Sequence, residues 1–413
     1  MLRALTTFLD THSHISAWQV AFSGGLDSTV LLHAMARLRD RYGFRLRAAH
    51  VHHGLQRAAD DWLEHCRLLA QAWEVPLLVH PVQVSVTGRG LEAAAREARY
   101  RALASGLAAE ERLLTAHHRD DQAETVLLNL LRGASVQGLA GMAEMARLKM
   151  GETPLWIGRP LLSVDRAALE AYARAHDLAW CEDPSNADTS LRRNWVRHEL
   201  LPGLAARQPA VVEKLCQTAE AMREAQALLD ELADACLEDV EVDGGLSIPA
   251  LQVLEARRRR LVLRRWFARQ GVVLTRNHLA ALEALIHAAS DRQPRVRIGS
   301  THAARWRERL IWPLRVVPPW QAILWAERAR LPWFRFQGAV PDGAQLVPFA
   351  ESGLGLKPLK KAFRQAGVPP WDRPRWPVLV LDGTPLAVVG VRALHPEAPA
   401  VTVAFIAEQG AIG

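Results

Sequence analysis

Six consecutive residues, Ser23-Gly24-Gly25-Leu26-Asp27-Ser28, are the part of this chain best suited to chemistry on an anion. The apolar run Val20–Phe22 leads into them and Val30-Leu31-Leu32 follows, so the segment reads as a strand-to-helix turn. Paired glycines let the backbone turn sharply and come close to a ligand. The helix start aims unpaired N–H groups at that ligand. Ser23 and Ser28 add hydroxyl donors, and Asp27 adds a carboxylate. The loop carries no lysine, so it is not the G-x-x-x-x-G-K-[ST] type of phosphate loop.

A second polar cluster, Thr115-Ala116-His117-His118-Arg119-Asp120-Asp121-Gln122-Ala123-Glu124-Thr125, follows an apolar run and opens a helix pattern. Asp121 and Glu124 are three apart and share a helix face. They fit a capping box, with Asp121 as cap and Glu124 three residues on. They equally fit a site for an amine nucleophile, a magnesium–phosphate complex, or both. A carboxylate there could accept a proton from an amine whose free pKa is about 10.4.

Three further segments carry candidates. In the helix pattern 91–108, Glu92, Arg96 and Arg99 lie near one face. Glu92 and Arg96 suit a solvated i,i+4 pair, and Arg96 or Arg99 also suits a phosphate. His52 and His53, in His50-Val51-His52-His53-Gly54, sit where a nucleotide fold commonly meets the adenosine. Residues 181–197 form a polar stretch in which Asp183-Pro184 and Asn186 are turn chemistry, and Arg192, Arg193 and Arg197 suit either surface caps or phosphate.

The elements that must position these residues alternate. Strand patterns fall at 18–23, 45–51, 76–84, 112–117 and 155–159, and helix patterns at 28–40, 58–73, 91–108, 121–132 and 165–176. That alternation predicts an α/β fold, a doubly wound parallel sheet with its ligand beyond the carboxyl ends of the strands. Three domains are expected, 1–204, 205–315 and 330–413: the α/β domain, a mostly helical one, and a small α+β one rich in Pro and Gly. A hairpin is expected around Asp243-Gly244-Gly245.

The chain has 413 residues, 49% hydrophobic, and a net charge of +7. No run of about 18 apolar residues suggests a membrane span, and no signal-peptide pattern opens the sequence, so a cytoplasmic enzyme with no membrane partner is expected. The cysteines, Cys66, Cys181, Cys216 and Cys236, form no Cys-x-x-Cys pair. That argues against a zinc knuckle or a cluster held by paired cysteines. The basic balance favours a polyanionic partner. The run Arg257–Arg260 with Arg264 and Arg265 suits a nucleic-acid backbone. So do Lys357, Lys360 and Lys361, three of the five lysines in an arginine-rich chain; a solvated charge run is the alternative.

Taken together, Ser23 to His33, His50 to Leu55, Glu92 to Tyr100, His117 to Glu124 and Glu182 to Asn186 resemble the tRNA(Ile)-lysidine synthetases of the PP-loop ATP pyrophosphatase superfamily. Arg192-Arg193-Asn194 running to Arg197, and Leu356–Lys361 with Gly367–Trp371, extend the resemblance to the C-terminal region. It implies a PP-loop fold, ATP and Mg²⁺ as cofactors, and free L-lysine and the CAU-anticodon isoleucine tRNA as partners. The implied reaction adenylates the wobble cytidine at its 2-carbonyl oxygen. The lysine ε-amine then displaces AMP, giving lysidine and diphosphate. The resemblance makes Ser23, Gly24, Gly25, Leu26, Asp27, Ser28 and His52 ATP-binding residues, and Asp27, Arg96, Arg99, Asp121 and Glu124 reaction-site residues.

Three alternatives remain: a sister PP-loop enzyme that thiolates tRNA, amide or guanylate synthesis on free nucleotides, and a tRNA-binding module without catalysis. The cysteine pattern speaks against the first, the basic C-terminal half against the second, and the intact loop with Asp27 against the third. Oligomeric state stays open, a homodimer being one outcome.

Overall fold

The computed structural model describes residues 1–52, 57–82, 91–108, 110–150, 153–182, 188–242, 245–289, 292–313, 319–331, 333–396 and 398–405. The chain divides into two compact units, Met1–Leu232 and Ala233–Gly413.

The first unit opens with α1 (Leu2–Thr11), which the sequence reading had not picked out; its Leu5, Phe8 and Leu9 are buried. Then follow β1 (Ala17–Ala21), α2 (Leu26–Tyr42), β2 (Arg45–His52), α3 (Arg57–Ala72), β3 (Leu77–Pro81), α4 (Leu91–Ser105), β4 (Glu111–Leu114), α5 (Arg119–Leu131), α6 (Val136–Leu139), β5 (Met145–Met150), β6 (Thr153–Gly158) and α7 (Arg166–Ala175). The sheet order is β3-β2-β1-β4-β6-β5. All neighbours are parallel except β5, which runs antiparallel to β6. β5 and the short α6 were likewise not placed by the sequence reading.

The chain winds outward from β1 through β2 to β3, then returns to the other side of β1 as β4. The order therefore reverses between β1 and β4, and at such a switch point the two outgoing loops part and leave a crevice. The core beneath it packs Val20, Phe22, Val30, Leu31 and Met35 against Phe8 and Trp18, all close to fully buried. Near-continuous apolar strands such as β1 are what a sheet covered on both faces requires.

After α7 come α8 (Arg192–Trp195), a π-helical turn (Val196–Leu200), α9 (Leu201–Ala205) and α10 (Val211–Val240). Among the described residues no helix is long and apolar enough to cross a membrane.

The second unit holds the helices Ile248–Val253, Ala256–Arg269 and Arg276–Ile286. It adds a five-stranded antiparallel sheet that includes 295–298, 301–306 and 309–311. The expected mostly helical segment thus carries a sheet as well, built from strands too short to show a clear period. Glu241 pairs with Leu246 across the expected hairpin; Asp243 and Gly244 at its turn lie outside the described residues. Further on, Ile323–Leu324, Gln345–Pro348, Pro377–Leu381, Thr384–Val388 and Arg392–Ala393 form another antiparallel sheet, accompanied by the helix Leu356–Gln365.

Candidate active site

The loop after β1 is held by its own side chains. Ser28 Oγ lies 3.1 Å from Ser23 Oγ, donates to the Gly25 carbonyl at 3.0 Å, and accepts from the Ser23 N–H at 3.2 Å. The Cys181 N–H donates to the Gly24 carbonyl at 2.9 Å, tying the loop to the segment beyond α7. Gly24 has φ +83°, and a Cβ there would stand 2.8 Å from Cys66 Sγ. Gly25 is the extended residue that caps α2. The first N–H groups of α2 have no partner within the helix, and its dipole is positive there. The loop thus presents backbone and hydroxyl donors of the kind an anion needs.

Gly24→Ala tests that loop. A left-handed non-glycine residue costs about 1–2 kcal/mol, and the contact with Cys66 adds to it. A lower melting temperature and weaker ATP binding in a titration are expected; wild-type values in both would show that the loop tolerates the side chain.

Across the crevice, β4 is followed by Thr115-Ala116-His117-His118. Thr115 Oγ1 lies 2.8 Å from His117 Nδ1, and burial pushes the His117 pKa down. The structure shifts the expected capping register by three residues. His118, not Asp121, precedes the helix, and Asp121 Oδ2 accepts the His118 N–H at 3.1 Å. Glu124 is therefore not part of the cap.

His118 is 1% exposed and joins the two sides of the crevice. Its Nε2 is 3.7 Å from Asp27 Oδ2 and 3.4 Å from Asp121 Oδ2, and its Nδ1 is 3.4 Å from Asp120 Oδ2. These are ion-pair rather than hydrogen-bond separations. Burial works to lower its pKa, but the carboxylates of Asp120, Asp121 and Asp27 outweigh burial and raise it. Burial raises the carboxyl of Asp27 despite the nearby imidazole.

Asp121 and Glu124 meet two arginines from far along the chain. Arg193 donates to Glu124 Oε2 at 2.8 Å and to Asp121 Oδ1 at 2.9 Å. Arg197 donates to Glu124 Oε1 at 2.5 Å, Glu124 Oε2 at 3.2 Å and Asp121 Oδ1 at 2.8 Å. The π turn begins between these arginines, a distortion frequent at functional sites. Arg193 and Arg197, candidates for phosphate, are thus committed to carboxylates, while Arg192 stays exposed. Against the pull of burial, His118, Arg193 and Arg197 hold the Asp121 carboxyl below its ordinary range, which makes it a weak base.

The other candidates spread along the rim. His52 ends β2, with Nε2 3.2 Å from Asp60 Oδ1. Arg96 and Arg99 are exposed on α4, and the Arg96 guanidinium lies 5.2 Å from the centre of the Tyr100 ring. The Glu92 side chain, residues His53, Gly54 and Leu55, and Asp183, Pro184, Ser185 and Asn186 lie outside the described residues. The sequence reading put His118 on the rim but not among the site residues, and it missed Arg159. Arg159 directly follows β6 and is buried. A lone arginine in an Arg-Pro turn gives no pattern to find it by.

Among the described residues no cluster of three or more His, Cys, Asp or Glu could hold a metal ion. Magnesium needs less, one or two carboxylates plus substrate phosphates. Asp27 fits that need, since its Oδ1 is buried without a hydrogen-bond partner beside the phosphate cradle.

The basic run in the second unit divides. Arg259 is buried on Glu283 at 2.8 Å, and Arg265 clasps both oxygens of Asp234 at 2.6 Å. Arg257, Arg258 and Arg264 are exposed. On the helix Leu356–Gln365, Leu359 and Phe363 point inward and Lys357, Lys360, Lys361 and Arg364 outward, making one cationic face.

Family models place a PP-loop domain on residues 2–204, a TilS substrate binding domain on 246–311 and a TilS substrate C-terminal domain on 343–398. A tRNA(Ile)-lysidine synthase of Alkalilimnicola ehrlichii is 43% identical over 399 residues, spanning 88% of this chain and 87% of that protein. One of Pseudomonas aeruginosa is 41% identical over 406 residues, 91% and 90% respectively. One of Serratia proteamaculans is 40% identical over 408 residues, 93% and 92%. With similarity of this extent along nearly the whole chain, the chain belongs to the tRNA(Ile)-lysidine synthase family of ligases.

Proposed function

We propose that the protein joins free L-lysine to C2 of the wobble cytidine in the CAU-anticodon isoleucine tRNA, using ATP and releasing AMP and diphosphate. The observation that carries this reading is the meeting of the Ser23–Ser28 cradle with Asp27, His118 and Asp121 at the switch point of the sheet. Adenylation needs backbone donors on a polyphosphate and a carboxylate beside it, and that crevice offers both.

In this mechanism Ser23, Gly24, Gly25, Leu26 and Ser28 hold the phosphates, with His52 on the nucleoside side. Asp27 would hold Mg²⁺, which neutralises the departing diphosphate. The cytidine 2-oxygen attacks the α-phosphorus, the α–β bridging bond breaks, and diphosphate leaves. The neutral ε-amine adds to C2, the C2–O bond breaks, and AMP leaves with that oxygen. The proton that the amine sheds passes to the phosphate of the departing AMP. Arg99 neutralises phosphate, and Arg96 adds a second cation to the reaction site. Asp121 and Glu124 act by fixing Arg193, Arg197 and His118. A tRNA-dependent conversion of ATP to AMP, with no ADP, tests the reading; ADP as the product refutes it.

Residues 1–204 carry this chemistry in our reading, and 205–315 and 330–413 bind tRNA. The cationic face of the helix Leu356–Gln365 supports the last assignment. Lys357→Ala/Lys360→Ala/Lys361→Ala is expected to weaken tRNA binding and to flatten the log–log salt slope by about 2 to 3, since each phosphate neutralised contributes nearly one. ATP binding should not change. A titration at several salt concentrations decides, and an unchanged slope rejects the contact.

A further inference from the structure

Four arginines are buried among the described residues: Arg159, Arg259, Arg305 and Arg373. Arg259 has the carboxylate of Glu283, and the Nε of Arg305 and of Arg373 each donates to a carbonyl. Arg159 differs. Its Nη1 donates to the Ala143 carbonyl at 2.7 Å, but its Nε is buried with no hydrogen-bond partner, and no described carboxylate pairs with it. A buried cation without a counter-ion is costly unless something supplies the negative charge.

Its position says where that charge would sit. Arg159 follows Gly158, which pairs with Leu114 at the end of β4, and the Thr115 N–H donates to the Gly158 carbonyl at 3.0 Å. Arg159 therefore stands on the same rim as His117 and His118. Burial depresses the Arg159 pKa, the nearby Tyr100 works to raise it, and the Arg96 cation depresses it further. Arg159 and Arg96 are thus neighbouring cations, and among the described residues no carboxylate is ion-paired with either. The phosphate cradle follows β1, two strands away, on the order of 10 Å. The ATP phosphates have their own donors there. The four-methylene stem of lysine spans a distance comparable with one to two strand spacings.

We infer that Arg159, assisted by Arg96, is the seat for the α-carboxylate of the incoming free amino acid, and that it aims the ε-amine toward the crevice between β1 and β4. This rests on the lysine-joining reading above and adds to it the residues that select a free amino acid over a plain amine. A guanidinium suits the task because its planar fork meets both carboxylate oxygens.

The test compares L-lysine, L-lysinamide and cadaverine as amine donors to the CAU-anticodon tRNA, with wild type, Arg159→Met and Arg159→Lys. Wild type is expected to favour lysine over cadaverine by about 10- to 100-fold in kcat/KM, the range of a hydrogen bond to a charged group. In Arg159→Met that preference should fall to about threefold or less, with cadaverine turnover and ATP affinity kept near wild type. Arg159→Lys should keep a charge but lose the fork, lowering the lysine-over-lysinamide ratio about fivefold or more. It carries the test if Arg159→Met fails to fold.

Equal losses on lysine and cadaverine, or a raised KM for ATP with the preference intact, would overturn the seat and assign Arg159 to structure or to nucleotide phosphate. A wild type that uses lysine and cadaverine equally refutes the seat alone. A wild type that joins no lysine refutes the functional reading, and the seat with it.

Discussion

Asp27→Asn is expected to give a folded protein that binds tRNA and makes essentially no lysidine, a loss on the order of 10³-fold in kcat or more. Asparagine keeps the shape but not the charge. The carboxylate it removes has one oxygen 3.7 Å from His118 and the other buried without a partner next to the phosphate cradle. The stability change should have the opposite sign to an ordinary lost ion pair. Burial raises the Asp27 pKa above its unfolded value. Its stabilising contribution is then fully present only below the unfolded pKa, and is lost as pH rises through the folded one. At neutral pH the charge burdens the fold, so Asp27→Asn should melt no earlier than wild type. Turnover within threefold of wild type would remove Asp27 from the reaction. Early melting would mean that its charge is part of the scaffold.

Glu124→Ala should produce the largest loss of stability of any change in the site. Glu124 is 1% exposed and accepts from both Arg193 and Arg197. Its removal leaves two guanidinium groups sharing Asp121. Breaking a buried pair in this way costs about 3–5 kcal/mol, against about 0.5–2 kcal/mol for a lost helix cap. For a unit of this size that lowers the melting temperature by roughly 6–20 °C. Chemical denaturation of wild type and variant measures it. A loss below about 1 kcal/mol would show that the four-residue cluster contributes little. Turnover at a temperature where the variant remains folded then separates the two roles. It should still fall well below wild type, because Arg193 and Arg197 are no longer held; normal turnover of folded protein would confine Glu124 to the scaffold.

The parts of this site that were legible in the sequence are local. The turn from β1 into α2 announces itself through adjacent Gly, Ser and Asp residues whose backbone and side-chain needs are met within six positions. The parallel order followed from alternating apolar strands and amphipathic helices. The cap of α5 was misplaced by three residues because acceptor residues recur there at a spacing of three. His118 with Asp121, and Asp121 with Glu124, fit the same capping pattern, and only the chain path after β4 selects the first. The pairing of Asp121 and Glu124 with Arg193 and Arg197 joins residues about seventy positions apart, which no periodicity encodes. Arg259 and Arg265 looked like nucleic-acid contacts because one-sided charge was all the sequence offered; Glu283 and Asp234 balance them through folding. β5 does alternate, Met145 to Met150, but it follows a glycine-rich stretch that reads as loop.

The most direct test of the account supplies the protein with ATP, Mg²⁺, labelled lysine and two isoleucine tRNA transcripts that differ only in carrying or lacking the CAU anticodon. The account predicts acid-precipitable label on the CAU transcript alone, with one AMP released for each lysine joined. Label on neither transcript, label on both, or label without AMP would contradict it.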